Sequence, residues 1–363
     1  MVHGTPCGSS PLKTPIIILL RPVEKTCYSS FLLNGSFIYL SLMSYYASVK
    51  YFVSYFLRNH LAWIAIIISG IFILFVILAY NVSWPKADME ELDPTKYLFT
   101  YEEVAIPSSE GWNISAWWIP GLENAPGIIL SPGYGMSRTD ALSIASVLNP
   151  YGFNILIYSP RGSFSMSNRA ASLGLREVGD MADAIRFLKD RPESDPSRIG
   201  IWGVDESAFA ALQAAVDFQE VRAIVADSPF LTVREYLNYR LSEDYKIENR
   251  FSKFACYKIF RLIHIFDGEP QIERLTPEAL SGKSILFIKG ESHPMLAAAT
   301  SAVYDRIRPA KEIFSIETTR VHSMSGDMLR TYDARVAEFF YENLTSEVIA
   351  EAAKNAVAGN PQP

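Results

Sequence analysis

The 363 residues suffice for one large domain with additions, or for two domains. Hydrophobic residues make up 49% of the chain, which is ample for a sizeable core. A formal net charge of −6 without a basic tract argues against a nucleic-acid-binding protein, and the spacing of the three cysteines matches no zinc-binding pattern.

The N-terminal region carries the strongest signal for a membrane. The charge-free stretch that begins at Leu61 and ends at Tyr80 matches, with its roughly 20 residues, a bilayer core about 30 Å thick. It predicts a single transmembrane helix whose partner is the lipid bilayer, against the alternatives of a cleaved signal peptide and a buried core helix. Residues 1–60 then form a cytoplasmic or leader region. Because basic residues concentrate before the span and acidic residues follow it, the large domain is expected to be extracytoplasmic.

Beyond about residue 98, short apolar runs alternate with helical patterns. The predicted strands cover residues 101–106, 114–119, 127–130, 154–158, 199–202, 221–226, 284–288 and 313–316, and the predicted helices cover 139–148, 175–189, 209–216 and 331–340. The first two strands form an antiparallel pair. Buried strands that alternate with helices predict a mostly parallel central sheet with helices on both faces. The α/β domain so predicted spans residues 98–342, and residues 343–363 form a C-terminal tail.

Residues 230–283 interrupt this alternation with a helical, aromatic-rich segment. As an insertion between two strands, the segment would form a cap over the strand ends, where ligands bind in open α/β sheets. The alternative is a folded connector with its own small core, and the sequence favours neither.

A tight turn between an apolar strand and a helix occupies residues 203–207, with the sequence Gly-Val-Asp-Glu-Ser. Strand, turn and helix together form the frame of the G-x-S-x-G nucleophile elbow. Asp205 stands where this frame has its nucleophilic serine. Ser207 lies in the first turn of the helix and is interpreted as a structural small residue.

Further motifs follow one another in a characteristic order: Ser131-Pro-Gly-Tyr-Gly135, Tyr158-Ser-Pro-Arg-Gly162, Ala226-Asp-Ser-Pro-Phe230, Ile288-Lys-Gly-Glu-Ser-His293 and Val321-His322-Ser323. Together with the elbow, over roughly residues 98–342, they resemble the α/β-hydrolase superfamily. The branch most similar is membrane-anchored and serine-peptidase-like or acyl-hydrolase-like. The resemblance implies an α/β-hydrolase fold, with His322 as the catalytic base and position 293 as the place of the acid. It also implies an oxyanion hole formed by backbone N–H groups of Gly133, Tyr134 and Glu206.

The triad that the resemblance implies is degenerate. A histidine at position 293 offers no fixed negative charge to stabilise an imidazolium, so Glu291 or Asp227 would have to replace the acid. The carboxylate of Glu206, beside an oxyanion N–H, opposes developing negative charge by roughly 1–4 kcal/mol at about 4 Å. The resemblance implies no cofactor, and the sequence contains no metal-binding motif.

These departures leave three hypotheses. The first is a membrane-anchored hydrolase fold that has lost acyl transfer and acts by scaffolding or by binding a small acyl, ester or lipid-like ligand. The second is an active ester, amide or lipid hydrolase that uses an altered triad. The third is an aspartate-nucleophile hydrolase that acts at saturated carbon, as the epoxide hydrolases and haloalkane dehalogenases of the superfamily do. In that case Tyr236, Tyr239 and Tyr245 are candidate donors from the cap.

Overall fold

The computed structural model describes residues 34–85, 92–163, 169–267, 274–308, 310–319 and 323–345. The chain divides into two compact units, Met1–Ile68 and Ser69–Pro363. The predicted span is part of one long helix, α1 (Asn34–Ser83), whose segment Leu42–Ser83 is long and apolar enough to cross a membrane by length and composition. The domain boundaries predicted from the sequence stay predictions.

The larger unit contains an eight-stranded sheet. Its strands are β1 (Glu102–Pro107), β2 (Asn113–Ile119), β3 (Ala125–Ser131), β4 (Asn154–Tyr158), β5 (Ser194–Val204), β6 (Val221–Asp227), β7 (Ser284–Gly290) and β8 (Ala310–Ile316). They lie in the order β1-β2-β4-β3-β5-β6-β7-β8. β2 pairs antiparallel with β1 and β4, and all other neighbours are parallel. The sheet is therefore mixed, with a parallel majority.

Helices cover both faces of this sheet. They are α2 (Leu142–Leu148), α3 (Glu177–Lys189), α4 (Glu206–Ala214), α7 (Pro294–Arg306) and α8 (Gly326–Leu344). Strand side chains alternate between the two sides, as the period of two requires. Ile201 packs in the cluster that contains α3, α4 and α7 residues, whereas Trp202 packs in the cluster that contains α2 and α8 residues.

The predicted insertion between β6 and β7 contains two helices, α5 (Val233–Tyr245) and α6 (Arg250–Ile263). The side chain of Thr232 caps α5 by accepting a hydrogen bond from the Glu235 N–H, and Asn249 caps α6 in the same way. Tyr236 and Phe260 from these helices share a buried cluster with Leu78 and Val82 of α1. The last turns of α1 are therefore packed into the same unit as the insertion.

A buried carboxyl on α8 makes the stability of the domain depend on pH. Asp333 is 6% exposed, with the Ser143 hydroxyl 3.5 Å away, and burial raises its pKa to about 7. Since the unfolded group has a pKa near 3.9, the folded state holds more protons between about pH 4 and pH 7, and stability falls as the pH rises through this window. We expect Asp333→Asn to be more stable than the wild type above pH 7 by about 1–2 kcal/mol. Urea unfolding at pH 5 and pH 8 measures the difference, and Asp327→Asn, on the exposed face of the same helix, should show none.

Candidate active site

Asp205 lies in a strained turn between β5 and α4. Its backbone adopts φ 53° and ψ −115°, and its N–H donates to the carbonyl of Asp227 at 2.9 Å. A Cβ on Gly203 would lie 2.6 Å from the carbonyl oxygen of Ser207, so only glycine fits there without a shift. Such strain persists where the surrounding structure determines the backbone, and it concentrates at functional sites. The sharp turn therefore keeps the geometry of a nucleophile elbow although the serine is absent.

The Asp205 side chain lines a cavity of about 430 Å³. Tyr236, on α5, donates its hydroxyl hydrogen to Asp205 Oδ2 at 2.9 Å. Burial, followed by the nearby Asp205 charge, raises the pKa of Tyr236 well above its usual range, so the phenol stays a neutral donor. Helix α5 of the insertion thus reaches the elbow, and its residues Tyr239, Arg240, Asp244 and Tyr245 line the cavity.

Glu206 is fully buried directly behind Asp205. Burial is the main cause that raises the pKa of its carboxyl well above the usual range, and the charge of Asp205 adds to it. The backbone N–H of Glu206 itself lies near enough to the carboxyl to oppose this rise in pKa. That N–H is one that the resemblance assigns to an oxyanion hole. Among the described residues, Glu206 Oε2 has no hydrogen-bond partner.

The loop after β3 supplies the other oxyanion-hole candidates. The N–H of Gly133 donates to the Met136 sulfur at 3.3 Å. Tyr134 lines the cavity, and its hydroxyl donates to the carbonyl of Val82 at 2.8 Å. The Ser207 hydroxyl donates to the carbonyl of Pro132 at 2.7 Å, which holds this loop against α4 and fits the structural role predicted for that serine.

Asp227 belongs to a buried network. It is 0% exposed, and its carboxyl accepts hydrogen bonds from Tyr332 at 2.5 Å and from Ser228 at 2.9 Å. The indole N–H of Trp202 donates in turn to the Tyr332 hydroxyl oxygen at 3.0 Å. Burial raises the pKa of Asp227 well above its usual range. Asp227 is not among the residues that line the cavity, so this geometry favours a structural role.

Two other predicted acid positions, Glu291 and His293, lie in different surroundings. Glu291 lies on the surface and pairs with Lys289 at 3.0 Å. His293 precedes α7 and lines the cavity, with Nδ1 3.8 Å from Glu243 Oε1. His322 lies outside the described residues. Within the described ranges, the structure thus brings Asp205 and His293 to one cavity, and it contains no cluster of His, Cys, Asp and Glu suited to a metal.

The cavity has walls that sequence reasoning did not assign to the site. Arg240 lies 4.2 Å above the Tyr134 ring and forms an ion pair with Asp244 at 2.7 Å. Asn81, in the last turn of α1, and Trp84, directly after that helix, also line the cavity. The spacing of Arg240 and Asp244 permits an ion pair on one helix, but nothing in the sequence indicates that α1 contributes to this cavity.

The fold is shared with an esterase of known structure. The Pf2001 esterase of Pyrococcus furiosus superposes with a TM-score of 0.59 at 20% identity, covering 73% of this chain and 100% of the esterase. The domain has the α/β-hydrolase fold. No family model matches the chain.

The sequence of this hydrolase-fold chain is also similar to curated proteins. Over 141 residues it is 29% identical to the thiohydrolase aneE of Aspergillus aculeatus. This aligned segment covers 38% of this chain and 44% of the thiohydrolase. It is 26% identical over 246 residues to the uncharacterised protein YqkD of Bacillus subtilis, which covers 64% of this chain and 77% of YqkD. The chain thus spans less than half the length of the thiohydrolase that it matches.

Proposed function

We propose that this protein is a membrane-anchored α/β-hydrolase-fold protein that binds a small acyl, ester or lipid-like ligand without serine-type acyl transfer. One observation carries the proposal: a carboxylate occupies the nucleophile position, and a second carboxyl, that of Glu206, is buried at the next position. A carboxylate that attacks an ester would form a reactive anhydride, and the carboxyl of Glu206 belongs to the residue whose N–H would stabilise the intermediate.

Retention of the anchor is supported by the way α1 ends. Ile71, Phe72, Leu74 and Ile77 are about half exposed, whereas Leu78, Ala79, Val82 and Ser83 are buried in the domain. The Val82 carbonyl accepts from Tyr134, and the Ser83 carbonyl accepts from the Ala171 N–H at 2.7 Å. Cleavage after this helix would remove part of the core, which favours an anchor over a signal peptide. With the basic N-terminal flank, the proposed topology is a cytoplasmic N-terminus and an extracytoplasmic domain.

Ligand binding is supported by the cavity at the elbow. Its volume of about 430 Å³ falls within the usual range for small-molecule pockets, roughly 300–1,000 Å³. Apolar side chains such as Trp84, Met136 and Leu296 share its wall about equally with polar groups, among them Asp205, Arg240 and Asp244. This combination suits a ligand with one polar end and an apolar body.

A second candidate is an aspartate-nucleophile hydrolase, which the presentation of Asp205 favours. The carboxylate lies at the strained elbow, faces the cavity and accepts from the Tyr236 phenol. In that reaction a carboxylate oxygen attacks saturated carbon, the carbon–oxygen bond of an epoxide breaks, and an alkyl ester of Asp205 forms with an alkoxide that takes up a proton. Water then hydrolyses the ester.

Labelling distinguishes the proposal from both enzyme hypotheses. We expect no serine of the purified full chain to react stoichiometrically with a fluorophosphonate, since no serine occupies the elbow. Mass spectrometry after incubation with an aliphatic epoxide should find no ester on Asp205, with Asp205→Asn as the matched control. Stoichiometric labelling of a serine would establish the altered-triad hydrolase. An adduct on Asp205 that is absent from Asp205→Asn would establish the aspartate nucleophile.

A further inference from the structure

Helix α6 exposes an apolar stripe, defined here as Phe251, Phe254, Lys258 and Leu262 with Ile265 and Phe266 of the following turn. The four helical members follow one another at intervals of three and four residues, which places them on one face. Phe251 is 72% exposed, Leu262 is 61% exposed and Phe266 is 92% exposed. The opposite face, with Cys256 and Phe260, is buried in the domain. The stripe is therefore not required to hold α6 on the fold.

The charged residues of α6 itself are all basic, with Lys253 paired to Glu248 at 3.0 Å just before the helix and Asp267 following the stripe. Helix α6 contains Arg250, Lys253, Lys258 and Arg261, and no acidic residue occurs within it. Lys258 lies in the middle of the stripe, with its ammonium group 5.5 Å from the Phe254 ring centroid. Large apolar side chains interleaved with cations are typical of helices that lie in the interface of an anionic membrane.

The stripe ends where α1 enters the domain. His264, directly after α6, has Nε2 2.9 Å from Ser83 Oγ, and its Nδ1 lies 2.5 Å from Asp267 Oδ2. Arg176 pairs with the same aspartate. These buried contacts tie the C-terminal end of α6 to the last turn of α1. The exposed Ile77 lies six residues before this contact on α1, and the exposed Leu262 lies two residues before it on α6.

We propose that the α6 stripe inserts into the interfacial layer of the bilayer leaflet on the domain's side and holds the domain against the membrane surface. The inference rests on the anchoring proposed above. The positive charge of the stripe favours a bilayer over a second copy of this chain as its partner. A second copy would bring its own Lys258 and Arg250 close to those of the first and repel it, whereas anionic head groups neutralise these cations. Docked in this way, the cavity wall formed by Asn81 and Trp84 lies beside the head groups, from which an amphiphilic ligand can enter.

Site-specific quenching in the full chain tests the proposal. The background is Cys7→Ser with Cys27→Ser; Cys256 can stay, since it is buried and its pKa is raised to about 11. An environment-sensitive fluorophore is attached to a cysteine introduced by Phe266→Cys, by Leu74→Cys in α1, or by Arg330→Cys at an exposed position of α8. The protein is reconstituted into vesicles of phosphatidylcholine with phosphatidylglycerol, with nitroxide-labelled lipid as quencher.

We expect the lipid-borne nitroxide to quench the Phe266 and Leu74 labels at least about twofold more than the Arg330 label. Aqueous iodide should show the reverse order. Lys258→Glu with Arg250→Glu should reduce quenching at Phe266 in anionic vesicles and leave Leu74 unchanged. A label at Leu262→Cys repeats the measurement, in case the change at Phe266 prevents folding.

The outcomes separate this inference from the anchoring proposal. If lipid quenches the label at position 74 while the labels at positions 266 and 262 stay exposed to water, the α6 contact is overturned and the anchoring proposal stands. A Leu74 label in water overturns the anchor and the inference with it. Energy transfer between Phe266 labels on different copies, with no quenching by lipid, would show that a second copy covers the stripe and would overturn the bilayer as its partner.

Discussion

The double variant Asp205→Ser/Glu206→Gln is expected to hydrolyse a p-nitrophenyl ester at least about 100-fold faster than the wild type, because it restores a nucleophile and an oxyanion donor together. The strained backbone that presents residue 205 is already present, with φ 53°, and the side chain at this position faces a cavity. The fold therefore keeps the backbone geometry of the elbow, while two carboxyl groups oppose acyl transfer at this position. Initial rates of ester cleavage, together with fluorophosphonate labelling of residue 205, measure the gain.

The two substitutions should contribute differently. Asp205→Ser alone should gain much less than the pair, because the buried Glu206 carboxyl still lies on the residue whose N–H must bind the oxyanion. Glu206→Gln alone should remain inactive, and it should fold normally, since burial already favours the neutral acid that glutamine resembles. Ser207→Ala in the double variant is the control for labelling at the neighbouring hydroxyl. Robust ester cleavage by the wild type, abolished by Asp205→Asn, would contradict this account.

Removal of residues 1–84 is expected to destabilise the domain by about 4–8 kcal/mol relative to a chain that begins at Ser69. Leu78 and Val82 are buried in the cluster that contains Phe209 and Tyr236, and each contributes apolar burial. The truncation also removes the acceptors of the Tyr134 and Ala171 hydrogen bonds. The Tyr134 hydroxyl and the Ala171 N–H would then lack their acceptors. His264 would likewise lose the Ser83 hydroxyl, its partner in the last turn of α1.

Urea unfolding of both truncated chains in the same mild detergent measures this difference. Val82→Asp in the full chain is a point version of the experiment, because Val82 is 0% exposed. Ile77→Asp, at a position that is 51% exposed, is its matched control and should leave domain stability nearly unchanged. Equal unfolding midpoints for the chains that begin at 69 and 85 would mean that the helix end is dispensable, and a cleaved signal peptide would then be the better interpretation.

Repeating, local features of the sequence were enough to predict most of the architecture. Alternating apolar runs and helical spacing indicated the parallel strands and their covering helices, because pleat and helix periods act over a few residues. The helix starts moved by a few residues, as at α8, which begins at Gly326, before the predicted 331. The single motif at 203–207 indicated the elbow and its missing serine, since a strand-turn-helix frame is also local.

Contacts between residues far apart in the chain were decided only by the tertiary structure. Tyr236 reaches Asp205 from 31 residues away, Tyr332 reaches Asp227 from 105, and His264 reaches Ser83 from 181. Such pairs depend on how helices pack across the sheet, which no local period encodes. The sequence alone indicated the turn at Asp205 and the long apolar helix, because both are local features. Only the fold showed Asp227 inside a buried network, the Glu206 carboxyl buried beside the elbow, and the end of α1 in the wall of the cavity.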